Sequence, residues 1–392
     1  MLVGRGVSSR PVPGTLCVSV DGANAHRAIN IIRPVRRLGN TLYVTTQGTY
    51  LSKEGECVRV TREDLPASQI PIHGVDGIVA FGRISVSPPL LGFCAERGVT
   101  ISWFSEHGRF LARAEGPVSG NVLLRRAQYR AADAPDRAAA IARSIVIGKV
   151  LNQRSVLRRA LRDHSNTMPA PDRDALNFAT DRLDRALNGL GRRMTLDEVR
   201  GMEGDAARVY FGVFPALLRD LSFAFSERIR RPPTDPVNAL LSFIYALLTH
   251  DARSALEGVG LDPAVGFLHR DRPGRPSLAL DLVEEFRAWF ADRLVLTLIN
   301  RRQVTPRDFM TLEGGAVRLR DDARRIVLIA LQERKREELQ HPFTGERMAV
   351  GLLWHEQARL MAAHLRGDLD GYTPFISRRS PCLCSSVTTS AP

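Results

Sequence analysis

The sequence contains little cysteine and no long apolar run. Its five cysteines are scattered over 392 residues, and so sparse and odd a set argues against a disulfide framework. The longest apolar run, from Val237 to Leu248, is too short to span a bilayer, and no signal segment opens the chain. These absences exclude a disulfide-stabilised secreted protein and a membrane-spanning one, and they predict a soluble cytoplasmic protein.

Lysine is also scarce, so arginine carries almost all of the positive charge. Lysine occurs only at Lys53, Lys149 and Lys335, although the formal net charge is +13 and the pI is near 10.3. A codon preference for arginine replaces lysine but creates no surplus of positive charge. The surplus indicates a polyanionic partner, and nucleic acid is the commonest one because neutralised phosphates release counterions. A membrane surface and a merely basic soluble protein are the alternatives.

Two folded parts are predicted between two irregular ends. Residues 1–37 are rich in Gly, Pro, Ser and Arg and are expected to form a disordered leader; residues 377–392 are expected to form a disordered tail. Residues 38–116 carry short β-rich runs punctuated by glycine, which predict a β-rich, sandwich-like domain. Residues 120–376 repeat apolar residues at helical spacing and predict a larger α-helical domain. The predicted fold class is therefore α+β.

Local signals predict where several helices begin. A helix is expected from Ser87 to Arg97, with two prolines near its start. Asp235-Pro236 and Thr305-Pro306 have the form of a cap followed by proline at the first helical position. Another helical pattern covers residues 122–163 and, after a polar interruption at 164–174, resumes and runs to residue 189. Further helical patterns cover residues 195–230, 235–250, 277–300 and 321–365, the last with a break near His341.

One predicted helix, from Ser277 to Arg293, concentrates acidic residues on one side. With Ser277 as its cap, Asp281, Glu284, Glu285 and Asp292 fall on one face, and apolar side chains fall on the other. A solvated acidic face is the ordinary interpretation of such a helix. Two carboxylates one turn apart can also share a hard divalent cation, which prefers oxygen ligands.

A histidine and a basic loop directly precede this helix. His269 ends the sequence Gly-Phe-Leu-His, and a loop with Arg270, Arg272 and Arg275 follows it. A histidine beside apolar residues is usually a structural one. Arginines beside carboxylates can nevertheless place a phosphate and a metal ion side by side, as phosphodiester chemistry requires.

Other candidates for chemistry carry weaker signals. Glu203 precedes an apolar helical segment, and nothing in its spacing distinguishes it from a surface charge. His355-Glu356 begins like a zinc-protease motif, but Arg359 occupies the position of the second ligand, which argues against that class. Cys382 and Cys384 form a lone Cys-x-Cys pair with no second ligand pair nearby, so no zinc site is expected there.

Three separated stretches together resemble one known family. They are LYVTTQGTYLS, MEGDAARVYFGVF and the long stretch NALLSFIYALLTHDARSALEGVGLDPAVGFLHRDRPGRPSLALDLVEEFR. In content and order they resemble the CRISPR-associated endonuclease Cas1, the spacer-acquisition integrase, in its type I-C-like form. The resemblance covers residues 38–376. It implies a β-rich N-terminal domain that serves dimerisation and an α-helical catalytic domain, and it implies nothing for the two ends.

The resemblance also implies a metal centre. The family's ligands are a glutamate, a histidine and a third acid, in the motifs E-G-x-x-A, G-F-L-H and D-L-x-E, which correspond here to Glu203, His269 and Glu284. Asp281 matches a further acidic position near that site. Some relatives carry aspartate as the third acid, and Glu285 remains a competitor of Glu284. The implied cofactor is Mg²⁺ or Mn²⁺.

The implied activity is metal-dependent phosphoryl transfer on DNA. A prespacer 3′-hydroxyl attacks a phosphodiester of the CRISPR repeat, and water in its place gives nuclease activity. The implied partners are double-stranded DNA, a second copy of the chain, a Cas2 dimer that bridges two such dimers and, in type I-C systems, the nuclease Cas4. The alternative is a non-catalytic basic DNA-binding scaffold. Candidate DNA contacts are Arg270, Arg272, Arg275, Arg301 and Arg302.

Overall fold

A computed structural model describes residues 40–377, except residues 64, 106–109, 115, 117–121, 165 and 230–231. The predicted leader at 1–37 lies outside the described residues, as do all but the first residue of the predicted tail and most of the predicted linker between the two parts. Cys382 and Cys384 also lie outside. In the described part of the chain, Cys57 and Cys94 are free thiols.

The N-terminal part of the described chain contains two four-stranded sheets and one helix. The elements are β1 Asn40–Val44, β2 Tyr50–Glu54, β3 Cys57–Arg62, β4 Leu65–Pro71, β5 Val75–Phe81, β6 Ser85–Val86, α1 Pro88–Glu96, β7 Thr100–Phe104 and β8 Phe110–Ala114. The first sheet has the order β1-β5-β7-β8, with only β8 antiparallel to its neighbour. The second has the order β4-β3-β2-β6.

The first sheet is buried on both faces because it separates two cores. Ile78 and Ala80 of β5 pack into the core shared with the second sheet and α1. Val79 and Phe81, which alternate with them, pack into the core of the helical part. A strand buried on both faces needs a continuous apolar run, which residues 78–81 supply. The predicted β-rich N-terminal region is confirmed.

Two strands of this region carry no clear signal in the sequence. Strand β4 has prolines at its second and last positions, Pro66 and Pro71, and its residues are largely exposed. It forms an edge of the second sheet, where proline is tolerated because one side of the strand needs no hydrogen bonds. Strand β6 is only two residues long. The predicted helix after Ser87 is confirmed, and the Ser87 hydroxyl accepts a hydrogen bond from the Leu90 N–H.

The C-terminal part is predominantly helical, as predicted. Its helices are α2 Val122–Asp133, α3 Pro135–His164, α4 Ala170–Leu190, α5 Leu196–Gly212, α6 Pro236–Gly258, α7 Ser277–Phe286, α8 Arg293–Asn300, α9 Asp321–Arg336 and α10 Leu353–Arg366, with a π-helical segment at Arg287–Asp292. Two short hairpins join them: β9 Phe309–Thr311 with β10 Val317–Leu319, and β11 Glu338–Gln340 with β12 Arg347–Ala349. No helix of the described chain is long and apolar enough to cross a membrane.

Several predicted helix boundaries are wrong, each for a local reason. The helix predicted at 195–230 ends at Gly212, and Pro215 then restricts the backbone to a short 3₁₀ turn. The stretch predicted at 321–365 contains the β11–β12 hairpin instead of a simple break. Ser277 does not cap α7, because Pro276 holds the cap position and the Ser277 hydroxyl donates to the carbonyl of Arg270. Asp235 does cap α6, by accepting from the Asn238 N–H.

The long helix α3 positions the candidate site. It packs against α5 on one side and against α7 and the π-helical segment on another. Residues of these helices that are far apart in the sequence therefore meet around the middle of α3.

Candidate metal centre

Asp281, fully buried on α7, holds the loop that carries His269. Its Oδ2 atom accepts hydrogen bonds from the backbone N–H groups of Phe267 at 2.6 Å and Leu268 at 2.9 Å. Its Oδ1 atom accepts from the backbone N–H of His269 at 3.0 Å and from His269 Nδ1 at 2.6 Å. A carboxylate only accepts, so Nδ1 is the protonated nitrogen, and Nε2 keeps a lone pair for a ligand.

The glycine of the Gly-Phe-Leu-His sequence makes this approach possible. A Cβ atom at Gly266 would lie 2.8 Å from Asp281 Oδ2 and 2.8 Å from the carbonyl carbon of Ser277. Backbone atoms at that distance cannot give way, so any side chain here would push the loop from α7. Gly266 is therefore required by close packing rather than by an unusual backbone angle.

Glu284, one turn after Asp281, is a buried carboxylate surrounded by positive groups. Its side chain is 3% exposed, with Oε2 2.7 Å from Lys149 Nζ and Oε1 3.1 Å from Arg287 Nη1. His269 Nε2 lies 3.9 Å from Oε1. Burial alone would raise the pKa of Glu284, but Arg287, Lys149 and His269 outweigh it and lower the pKa to about 2. Glu284 is therefore ionised at neutral pH.

Lys149, on α3, stands between Glu284 and Glu203. Its side chain is 5% exposed, and its ammonium group forms ion pairs with both carboxylates. Burial would lower the pKa of Lys149, but the charges of Glu284 and Glu203 outweigh it and raise the pKa. Glu203, on α5, is the most accessible of the three groups. The two carboxylates thus meet through one ammonium group.

Glu203 and His269 each lie near Glu284, the first through the shared Lys149 ammonium and the second at 3.9 Å, but the three side chains do not form a closed cage. In the described chain, no three His, Cys, Asp or Glu side chains lie close enough together to hold an ion as they stand. The donor chemistry fits a divalent cation: two carboxylates and one imidazole nitrogen with a free lone pair. Glu284 Oε2, although near Lys149, receives no hydrogen bond of regular geometry. The side chains that would hold such an ion are Glu203, His269 and Glu284.

Glu285 faces away from this centre. Its carboxylate accepts from the Tyr372 hydroxyl at 2.6 Å, the Phe375 N–H at 2.7 Å and Gln357 Nε2 at 3.0 Å. Burial raises the pKa of Glu285 to about 8, although these hydrogen bonds act in the opposite direction. Glu285 therefore binds structural partners on the other side of α7.

The acidic residues of this helix are buried, so the interpretation as a solvated acidic face is wrong. Asp281, Glu284, Glu285 and Asp292 are each at most 2% exposed. Asp292 accepts from the Tyr245 hydroxyl at 2.5 Å, in the interior. The four carboxylates thus have different partners, and only Glu284 lies near His269 Nε2, with its Oε2 atom free of regular hydrogen bonds.

The predicted arginine contacts divide into two groups. Arg270 is exposed beside α5, with Nη2 3.2 Å from Asp197 Oδ1, and Arg272 and Arg275 belong to the same loop. Arg301 and Arg302 follow the end of α8, about 25 Å along the helix axis from Glu284. The fold therefore brings the loop arginines next to the centre and leaves the other two remote from it.

Sequence patterns missed two cations of this centre, Lys149 and Arg287. Arg287 begins the π-helical segment, a rare geometry that is frequent at functional sites, and its guanidinium lies over the ring of Tyr245 at 4.8 Å. Lys149 had one available signal, since it is a lysine within an apolar helix of a chain that otherwise uses arginine. No sequence signal marked Arg287, because its position is that of an ordinary charged residue on an amphipathic helix.

Several solved structures share this fold. A Cas1 protein from Thermotoga maritima superposes with a TM-score of 0.71 at 24% identity, over 84% of this chain and 97% of that chain. A casposase bound to an integration product gives 0.74 at 22% identity, over 89% and 96%. A Cas6-RT-Cas1–Cas2 complex gives 0.73 at 22% identity, over 88% of this chain and 37% of that chain.

Sequence comparison defines the family more closely. The family described as "CRISPR associated protein Cas1" matches residues 42–333, so the chain belongs to the Cas1 family. CRISPR-associated endonucleases Cas1 from Chlorobaculum tepidum and Rhodospirillum rubrum are each 55% identical, over 86% and 87% of this chain and 98% and 99% of theirs. A Cas4 exonuclease/Cas1 endonuclease fusion from Geobacter sulfurreducens is 34% identical, over 88% of this chain and 62% of the fusion.

Proposed function

We propose that this protein is a divalent-metal-dependent DNA nuclease and integrase that inserts prespacer fragments into a CRISPR repeat array. The observation that carries the proposal is the arrangement of Asp281, His269 and Glu284. A buried carboxylate fixes the imidazole so that its free nitrogen faces a second, ionised carboxylate. Carboxylate–histidine pairs of this kind orient metal ligands. Glu203, from α5, completes the proposed ligand set with His269 and Glu284.

In the proposed reaction, a prespacer 3′-hydroxyl oxygen forms a bond to phosphorus of a repeat phosphodiester. The bond from phosphorus to the repeat strand's own oxygen breaks, and that oxygen leaves as a hydroxyl after taking up a proton. Bound Mg²⁺ or Mn²⁺ would supply Lewis acidity at the phosphate. Asp281 keeps His269 in the required tautomer, and Lys149 and Arg287 place positive charge where negative charge develops on the phosphate.

A groove along α3 supports DNA as the substrate. It lies about 14 Å further along the helix than Lys149 and is lined by arginine side chains beside Trp289. Asp184 is shared by two arginines, and Asp163 by two more, so positive charge exceeds negative charge there. Such a surface binds phosphates by releasing counterions. The lining residues are Ser155, Val156, Arg158, Arg159, Arg162, Trp289, Arg293 and Ser377.

The proposal extends to partners and to subtype. We assign dimerisation to the β-rich part at residues 38–116 and catalysis to residues 120–376, in a type I-C-like system. The Cas6-RT-Cas1–Cas2 complex supports Cas2 as a partner, which we propose to act as a dimer between two Cas1 dimers, and the Cas4/Cas1 fusion supports Cas4 as a further partner. Exposed Arg270 and Arg272 and half-buried Arg275 are the proposed DNA contacts nearest the centre, whereas Arg301 and Arg302 would contact DNA only at a distance from it.

The test measures joining of a labelled prespacer to repeat DNA by the protein with its Cas2 partner, with Mn²⁺ or Mg²⁺ and with a chelator. We expect metal-stimulated joining that is abolished in Glu203→Ala and in His269→Ala. Arg193→Ala is a control, because this exposed arginine pairs with Asp136 at the opposite end of α3 from the groove. DNA binding without metal-stimulated cleavage or joining would favour a non-catalytic scaffold. Wild-type joining by both ligand variants would show that the proposed centre is wrong.

A further inference from the structure

Residues 371–377 follow α10 and cross the side of α7 that faces away from the metal centre; we call them the C-terminal segment. The segment has no regular secondary structure, yet Tyr372 and Phe375 are only 4% and 1% exposed. Phe375 stacks on Phe286 with a centroid distance of 5.2 Å and meets the edge of Trp289 at 5.0 Å. An irregular segment buried to this extent is held by specific contacts.

Glu285 is the main polar anchor of the C-terminal segment. Both of its carboxylate oxygens are used, one by the Tyr372 hydroxyl and the other by the Phe375 N–H and Gln357 Nε2. Gln357 also donates to the Tyr372 hydroxyl at 2.9 Å and to the Thr373 carbonyl at 3.1 Å. The segment is thus fastened to α7 and α10 by one connected network.

Helix α3 joins the same network through Asn152. Its Nδ2 atom donates to the carbonyl oxygens of Glu285 and Phe375, both at 2.8 Å, and its Oδ1 accepts from the Ser377 N–H at 3.0 Å. One turn earlier, Gly148 leaves room for the segment, since a Cβ atom there would lie 2.8 Å from Pro374 Cβ. The segment therefore determines how closely α3 and α7 approach each other.

The residues that contact the segment are chain neighbours of the residues that form the metal centre. Gly148 precedes Lys149 on α3, and Glu285 follows Glu284 on α7. A helix is stiff over one turn, so a shift of either helix at the segment moves the neighbouring charged side chain by a similar amount. On each helix, the 2.7 Å contact between Lys149 and Glu284 therefore lies one residue away from a contact with the segment.

We propose that the C-terminal segment is a positioning element of the metal centre, with Glu285 and Tyr372 as its positioning residues. It sets the spacing of α3 and α7 and thereby the distance between Lys149 and Glu284, the place at which a divalent cation enters. The part of this inference that concerns the metal rests on the proposed function. The part that concerns Lys149 does not.

The experiment uses the full chain and two variants. Tyr372→Phe removes only the hydroxyl that binds Glu285, and Gly148→Ala adds one methyl group against Pro374. Tyr43→Phe is the matched control, because it removes a tyrosine hydroxyl that is hydrogen-bonded to Gln332 and Thr41 at the boundary between β1 and α9. Thermal unfolding identifies a temperature at which all four proteins are folded. Tyr372→Phe is the milder change and stays informative if Gly148→Ala fails to fold.

The first measurement needs no metal. The amino groups are labelled with an acylating reagent, and mass spectrometry follows the three lysines separately. We expect Lys149 to be labelled several-fold faster in Tyr372→Phe and Gly148→Ala than in the wild type and the Tyr43→Phe control. Lys53 is the internal reference in all four proteins, and Lys335, a buried lysine paired with Asp251 near Tyr43, is a second reference in the wild type and the two segment variants. An unchanged rate at Lys149 in Tyr372→Phe overturns the proposal, even if that variant unfolds at a lower temperature.

The second measurement is the binding of Mn²⁺ to the same proteins by titration calorimetry. We expect about 10-fold weaker binding in the two segment variants, the size of effect that follows from losing support of a metal ligand. Wild-type affinity in Tyr372→Phe would overturn the proposal for the metal. If the wild-type protein itself bound no Mn²⁺, the proposed function would fail, and the labelling result would still decide whether the segment positions Lys149.

Discussion

Glu284 and Glu285 are consecutive residues of one helix, and both are buried, but their surroundings differ. Glu284 meets two permanent cations, Arg287 and Lys149, which lower its pKa to about 2 against the effect of burial, and it also lies near the His269 imidazole. Glu285 meets a phenol, an amide and a backbone N–H, and burial raises its pKa to about 8. The charge of a buried carboxyl group is therefore decided by its partners and not by its depth.

Because Glu284 and Glu285 differ in charge, the two faces of α7 that carry them have different roles. The face with Glu284 carries a permanent negative charge that a cation can bind, balanced by Lys149. The opposite face carries a carboxyl group that is protonated at neutral pH and fastens the C-terminal segment. Asp292 resembles Glu285, because burial raises its pKa to about 6 and the Tyr245 hydroxyl is its closest partner.

The sharpest test of this comparison exchanges each glutamate for its neutral amide. Glu284→Gln should lower Mn²⁺-stimulated DNA cleavage by at least about 10²-fold, because it removes a charge from the proposed ligand set. Glu285→Gln should leave the rate within a few-fold of the wild type, because glutamine resembles the protonated acid already present. Initial rates of DNA cleavage at saturating Mn²⁺ measure the effect of each substitution. Equal losses in the two variants would show that the two faces do not have separate tasks.

A second test removes Lys149, the cation that balances the negative charge of Glu284. Lys149→Met should lower the unfolding free energy without added metal by about 2 kcal/mol, since buried Glu284 keeps Arg287 but loses its other cationic partner. Mn²⁺ should restore part of the loss by replacing the missing charge. Urea unfolding with and without Mn²⁺ measures both effects. Lys53→Met is the control; its ammonium lies over the Phe93 ring at 4.7 Å, and its loss should cost less than about 1 kcal/mol. A Lys149→Met protein as stable as the control would contradict the prediction.

A third test uses pH and Asp292. Its pKa in the folded protein, about 6, lies above the ordinary value of 3.8, so the folded state holds the proton more tightly than the unfolded chain does. The resulting stabilisation is complete below pH 3.8 and is lost as the pH rises through 6. Asp292→Asn cannot titrate, so it should gain up to about 3 kcal/mol relative to the wild type between pH 4 and pH 6. Denaturant unfolding measures the unfolding free energy of both proteins at each pH. Two curves that stay parallel between pH 4 and pH 6 would contradict the prediction.

A fourth test concerns the support of His269. Asp281→Asn should weaken Mn²⁺ binding by about 10- to 100-fold, because an amide cannot accept the four hydrogen bonds that the carboxylate receives. Titration calorimetry at a temperature where the variant is folded measures the affinity. Asp262→Asn, in the preceding loop, tests the same chemical change where the carboxylate binds Tyr129 instead of the histidine. Similar affinities for the two variants would mean that Asp281 does not orient the ligand.

Much of the fold could be predicted from local sequence patterns. Ser87 before two prolines and Asp235 before Pro236 predict helix starts correctly, because capping involves only residues within one turn. The β11–β12 hairpin and the edge strand β4 were missed, since their short or proline-containing sequences form strands only beside a partner. Ser277 was predicted as a cap and instead donates to the carbonyl of Arg270, a contact that depends on how the preceding loop folds back.

The candidate site likewise has one part that the sequence predicts and another part that it does not. His269 and the acidic helix are close in the chain, so their proximity follows from the sequence. The resemblance to the Cas1 family then singled out Glu203 and preferred Glu284 to Glu285. Lys149 and Arg287 remained unrecognised, because a lysine in an apolar helix and an arginine on an amphipathic one have many ordinary explanations.

The sequence by itself determined the division into a β-rich and a helical part, the excess of positive charge and the family, because these depend on composition and on residues near one another in the chain. Only the tertiary structure decided which carboxylates are charged. Glu284 and Glu285 have the same chemistry and adjacent positions, and their partners come from α3 and the π-helical segment in one case and from α10 and the C-terminal segment in the other. Those partners reach hydrogen-bond distance only after the chain has folded, so no local pattern could assign the two charges.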